Sequence, residues 1–270
     1  MKGVVGQSKL VQELSRYTAQ NAPKTMLFIG PYGCGKTTIA SKFAEQIGVD
    51  FVNVPADASA EQLLEYYRHP LPRLYFIRLV GVSEKQQNKL LKFIEEPSSN
   101  MFVVLAAESM AGVLPTILNR CVKHKFESYT PDQLMEFSWM VGDMDPLAMA
   151  ICQTPGQLLD LDKDKLGPTA ELCITILEKA KLASYANMMK VASKINCKSD
   201  FDKLDFEMFF RLLETMSFSK YKETNDEFSF KLYTYLIGMQ SKRLNKSIAK
   251  ESYLLSFLDG AWRLAHDEVI

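Results

Sequence analysis

Neither sign of charge is in excess. Lysine and arginine total 32, as do aspartate and glutamate. That balance removes any whole-molecule field towards nucleic acid or membrane, so a role at DNA would need a local patch or an assembly. Cysteine is scarce: Cys34, Cys121, Cys152, Cys173 and Cys197 are the five in 270 residues. No two stand in a Cys-x-x-Cys spacing, which excludes a zinc ribbon and reads as free thiols in a reducing compartment. The three histidines (His69, His124, His266) lie far apart and form no ligand or triad pattern. No apolar stretch approaches the length of a membrane span, and Met1-Lys2-Gly3-Val4-Val5-Gly6 carries no run of signal length. A cytoplasmic protein without membrane contact is expected.

What is present is ordinary globular material, with 47% hydrophobic and 24% charged residues. The length suits one large domain or two to three small ones. From about residue 25 to 126, β-rich runs alternate with helical patterns, as in a parallel sheet with crossover helices. Strands are expected at Thr25–Ile29, Phe51–Val54, Leu74–Val80, Met101–Ala106 and Cys121–Phe126. Helices are expected at Gln7–Asn21, Lys36–Ile47, Ala60–Tyr67 and Glu84–Glu95. After Tyr129 the strand signals stop. Thr130-Pro131-Asp132 starts a helix, with Thr130 as N-cap and proline at the first helical position. Breaks follow at Thr154-Pro155-Gly156 and Leu166-Gly167-Pro168-Thr169. Helices are then expected near 168–183, 185–196, 203–218, 223–244 and 248–267. The expected division is an α/β core over 1–129, a small helical segment over 130–166, and an all-α bundle over 167–270.

One motif carries chemistry. Gly30-Pro31-Tyr32-Gly33-Cys34-Gly35-Lys36-Thr37 follows a buried-strand run and opens a helix, the context a phosphate-binding P-loop requires. Its glycines let backbone N–H groups curl around phosphates, and the helix N-terminus adds positive partial charge. Lys36 should reach the β- and γ-phosphates, and the Thr37 hydroxyl should coordinate Mg²⁺, with Thr38 beside it.

Four blocks together resemble the AAA+ clamp-loader subunits of the DNA polymerase III delta-prime and gamma kind. They are Val5-Gly6-Gln7-Ser8-Lys9-Leu10-Val11, the P-loop, Gln87-Asn88-Lys89-Leu90-Leu91-Lys92-Phe93-Ile94-Glu95-Glu96-Pro97, and Leu114-Pro115-Thr116-Ile117-Leu118-Asn119-Arg120-Cys121. Thr154-Pro155-Gly156-Gln157 adds a weaker match. The resemblance implies an AAA+ core, a helical lid and a C-terminal collar that builds the oligomer. It also implies ATP or ADP in the loop, and as partners other clamp-loader subunits, with the sliding clamp and primer-template DNA reached through the assembly.

Departures from that pattern shape the expected mechanism. The family's Walker B strand ends in an Asp-Glu pair. Counting back from Gln87-Asn88 puts those positions at Ile77 and Arg78, and no Asp or Glu occurs between Glu65 and Glu84. An arginine at 78, if it faces the site, would compete with Mg²⁺, so the metal is expected to be weakly held if at all. The usual polar sensor strand here reads Leu105-Ala106-Ala107, and the lid position that offers an arginine matches Gln157. Arg120 is retained, and by resemblance it projects into a neighbour's ATP site; the alternative is a structural arginine capping the preceding helix. The expected function is a stator and arginine-finger donor that binds adenine nucleotide without hydrolysing it. Two alternatives stand beside it. One is an active ATPase using an atypical acid such as Asp57, Glu84 or Glu108, and the other is a regulatory or DNA-repair P-loop protein unconnected to a clamp. Lys242-Arg243-Leu244-Asn245-Lys246 reads as a solvated helix end. Phe206-Glu207-Met208-Phe209-Phe210 reads as helix core or subunit seam.

Overall fold

A computed structural model of the protein describes residues 3–142, 145–182, 184–188, 206–243 and 250–267. Five strands form one sheet: β1 (Thr25–Ile29), β2 (Asp50–Val54), β3 (Arg73–Arg78), β4 (Met101–Ala107) and β5 (Val122–Lys125). Their order is β2-β3-β4-β1-β5, and every recorded pairing is parallel. A parallel sheet covered on both faces needs near-continuous apolar strands. Accordingly β4 is buried at every position, and β1 at all but its first. Met26, Leu27, Phe28, Leu74, Phe76 and Val103 are fully shielded from solvent. Each such side chain contributes roughly 1.5–3 kcal/mol of burial energy.

Three helices occupy the expected spans: α2 (Lys36–Ile47), α3 (Ala60–Tyr67) and α4 (Glu84–Glu95). Local chemistry explains the starts of the latter two. Ser59 with Gln62 and Ser83 with Gln86 form reciprocal capping boxes. Thr130 with Gln133 does the same for α6 (Pro131–Met135), with Pro131 at the first position. The helix α1 is shorter than expected, spanning Ser8–Leu14. Ser15 Oγ bonds back to the Val11 carbonyl, and the Thr18 N–H turns to Asn21 Oδ1 at 2.6 Å. Those local bonds compete with continued helix. A 3₁₀ turn (Met110–Gly112) and three short helices follow β4 in the chain: α5 (Pro115–Leu118), α7 (Ser138–Val141) and α9 (Pro155–Leu159).

The chain divides into two compact units. The first comprises Met1–Met144 with Cys152–Asp160, and the second Asp145–Ile151 with Leu161–Ile270. The second holds α8 (Pro146–Ile151), α10 (Lys163–Leu182), α11 (Phe206–Thr224), α12 (Glu227–Arg243) and α13 (Lys250–Ala265). Its core gathers Phe209, Phe210, Leu213, Leu232, Leu236, Phe257 and Leu258, each at most 1% exposed, so Phe209 and Phe210 belong to the bundle interior, while Phe206 is half-buried. The expected break at Leu166–Thr169 is not one, because α10 runs through it with Pro168 inside the helix. Gly167 and Pro168 face solvent, where water can satisfy the carbonyl that proline leaves unbonded. The helix expected over 185–196 lies largely outside the described residues, as do Cys197 and residues 244–246 of the basic run.

Candidate functional site: the phosphate loop and its cavity

The loop leaves the carboxyl end of β1 and turns into α2 through Gly35, whose φ of 93° lies in the left-handed region that glycine alone adopts freely. Lys36 is folded back onto its own loop. Its Nζ donates to the Gly30 carbonyl at 2.6 Å and the Pro31 carbonyl at 2.8 Å, and lies 3.7 Å from Cys34 Sγ. An ammonium held by neutral carbonyls is positioned to exchange those partners for anionic oxygen, which makes stronger charge-assisted bonds. Cys34 is buried, and burial pushes its thiol pKa up against the lowering effect of Lys36. Tyr129 closes the inner side by donating to the Cys34 carbonyl at 3.2 Å.

The outer side of the loop is clasped by α9 and its flanks. Thr154 Oγ1 donates to the Tyr32 carbonyl at 2.8 Å, Gly156 N to the Gly33 carbonyl at 3.1 Å, and Tyr32 Oη to Asp160 at 2.6 Å. That last bond, with the carboxylate charge behind it, raises the Tyr32 pKa. The approach needs glycine on both sides. A Cβ on Gly33 would stand 2.6 Å from the Gly156 Cα, and one on Gly156 would stand 2.4 Å from the Gly33 Cα.

Between these walls lies a cavity of 480 Å³. Its lining combines polar groups from Lys36, Thr37, Thr38, Arg78 and Glu108 with apolar side chains such as Val5, Phe76, Phe137, Trp139, Met140 and Leu159. Tyr32 also lines it, whereas Gly30, Pro31 and Cys34 do not, and the Gly30 and Pro31 carbonyls instead hold Lys36. The aromatic lining was not foreseen. Phe137, Trp139 and Met140 read locally as scattered apolar residues on short helices, although Trp139 at 78% exposure is an unusual place for indole.

The metal side departs from the expected register. Ile77, which counting placed at the metal-holding position, is fully buried in the cluster with Ile29, Val54 and Leu105. Side chains alternate along a strand, so Arg78 points to the opposite face. There its Nη2 donates to the Thr37 hydroxyl at 3.2 Å. Position 78 is therefore the one facing Thr37, and the next residue, Leu79, is buried at 4% exposure. The residues present do not fit Mg²⁺, which needs several oxygen donors in octahedral array. Thr37 supplies one hydroxyl, a guanidinium already occupies it, and the end of β3 brings no carboxylate. No group of three or more metal-ligating side chains exists among the described residues.

Gln157 does not enter the cavity: its Oε1 accepts from Gln153 N at 2.8 Å. Arg120 lies at the other end of the sheet. Its carbonyl accepts from Thr25 Oγ1 where β1 begins, its Nε pairs with Glu95 at 2.9 Å, and its Nη1 donates to the Thr116 carbonyl. A separate shallow cleft of 590 Å³ opens there, lined by Lys24, Thr25, Ile94, Glu95, Glu96, Pro97 and Arg120.

Residues 73–130 match the family described as DNA polymerase III, delta subunit. The Replication factor C small subunit of Natronomonas pharaonis is 24% identical over 141 residues, covering 46% of this chain and 43% of that protein. The DNA polymerase III subunit gamma of Buchnera aphidicola is 24% identical over 173 residues, covering 50% of this chain and 47% of that protein. The chain is similar, over part of its length, to AAA+ clamp-loader subunits. It spans about half the length of these two curated relatives. The fold is also that of a RuvB mutant from Thermotoga maritima, at a TM-score of 0.50 and 17% identity over 94% of this chain and 88% of that one. Among the described residues, no helix is long and apolar enough to cross a membrane.

Proposed function

We propose that this clamp-loader-like subunit holds an adenine nucleotide in its phosphate loop, does not hydrolyse it, and serves its assembly as a stator that donates Arg120. The observation that carries this reading is the pairing of a complete loop with a β3 end that has no carboxylate. Loop amides, Lys36 and the helix N-terminus retain their attraction for phosphate. A positioned general base is worth ~10²–10⁴ in rate, and the end of β3 supplies none. The apolar side chains in the cavity lining suit a base, and the loop's polar groups suit its phosphates. Arg120 supports the second half by its position. It lies at the start of β1, and five strand residues put it on the order of 16 Å from the phosphate loop, out of reach of its own nucleotide. Its pairing with Glu95 is partly exposed and holds the side chain by about 1 kcal/mol or less, little enough to yield to a neighbour's phosphate.

In calorimetry, wild-type chain should bind ATP or ADP, and Lys36→Ala should weaken binding by at least about tenfold. The isolated chain should hydrolyse ATP no faster than Lys36→Ala. A turnover near ~1 per second that vanishes in Lys36→Ala would overturn the non-hydrolysing reading. One specific observation favours a second reading: Glu108 lines the cavity and could orient water. If turnover appears and Glu108→Gln abolishes it, the chain is an ATPase with an atypical acid.

A further inference from the structure

We propose that the Arg78 guanidinium takes the place of the divalent cation, so that the loop binds nucleoside polyphosphate without metal. The inference rests on the nucleotide-binding reading above and deepens it. In a metal-dependent loop, the threonine after the lysine gives its hydroxyl oxygen to Mg²⁺, and the metal bridges the β- and γ-phosphates. Here that hydroxyl accepts a hydrogen bond from Arg78 Nη2 at 3.2 Å. Among the described residues, this is the only hydrogen bond the Arg78 side chain makes, and no ion pair holds it.

Three properties suit the guanidinium to the substitution. It stands on the last residue of β3, which pairs with Ala106 of β4, so its origin is fixed. It lines the same cavity as Lys36, which places a guanidinium and an ammonium where polyphosphate would lie. Its planar fork matches two phosphate oxygens at once, and most of its N–H donors are unused. The same charge opposes a cation: Mg²⁺ at Thr37 would sit against a guanidinium, and the end of β3 brings no carboxylate to offset the repulsion. Among the described residues, Glu108 is the one acidic residue in the cavity lining, and Asp160 is engaged by Tyr32.

The test is calorimetric titration of the whole chain with ATP in excess MgCl₂ and again in excess EDTA, with thermal melts as a folding control. Wild type should bind equally in both, within about twofold. Arg78→Gln, which keeps the bulk and removes the charge, should weaken binding in EDTA by at least about tenfold. Arg78→Asp, which puts an oxygen donor beside Thr37, should bind only when Mg²⁺ is present. Wild-type binding that is tenfold or more weaker in EDTA would overturn the proposal while leaving nucleotide binding intact. Equal affinity of wild type and Arg78→Gln in EDTA would also overturn it. No wild-type binding in either buffer would sink the nucleotide reading and this inference with it.

Discussion

At the scale of single residues, His124 records what burial does to a titratable group. Its side chain is fully shielded, it stands edge-on to Phe28, and Glu13 approaches its Nδ1 at 3.4 Å without a formed hydrogen bond. Burial lowers its pKa against the smaller raising effect of Glu13. The unfolded chain therefore takes up the proton first as pH falls. The stabilising preference for neutral His124 is fully present above the unfolded pKa of about 6.5 and is lost below it. His124→Leu should accordingly flatten the decline of melting temperature between about pH 7 and pH 5. An unchanged slope would show that other groups set it. Arg78 and Ile77 give a second lesson at this scale. Counting along the sequence placed the metal-side position one residue early, and only the alternation of β3 fixed which side chain meets Thr37. The sequence announced the missing carboxylates plainly, whereas the contact that replaces them is tertiary.

At the scale of elements, the starts of α3, α4 and α6 were legible because serine or threonine with glutamine three residues on writes a capping box. The early end of α1 and the passage of α10 through Pro168 were not, since each depends on which face meets solvent or a competing local bond. The α9 clasp was legible only as a resemblance at Thr154–Gln157. Its physical content is the near-contact of Gly33 and Gly156. Gly156→Ala should destabilise the chain by about 1–3 kcal/mol through that overlap, read as a lower urea midpoint, and should weaken nucleotide binding by displacing the loop. Wild-type stability in this variant would mean the clasp opens freely. On α12, Phe230 and Ile237 remain exposed at 45% each and lie two turns apart on one stripe, beyond what the bundle core consumes. Ile237→Asp should leave the melting temperature within about 2 °C of wild type and reduce assembly with partner subunits, measured by light scattering. Full assembly would show that the seam lies elsewhere.

On the scale of the whole molecule, the sheet has two ends of interest. The carboxyl ends of β1 and β3 carry the glycine-rich loop and Arg78, and the opposite end presents Arg120 beside Glu95. Under the proposed function, a subunit built this way would gain nothing from its own nucleotide chemistry and would still govern a neighbour's. The measurement that tests this most directly is the ATPase rate of the complex reconstituted from wild-type or Arg120→Ala chain with its partner subunits, at equal stoichiometry verified by mass. Arg120→Ala should assemble normally, because one exposed arginine contributes little to a large interface. It should cut the complex's hydrolysis by at least about tenfold, because such an arginine acts on transition-state charge. Equal rates for the two complexes would make Arg120 a structural residue tied to Glu95 and Thr116, and would contradict the stator reading.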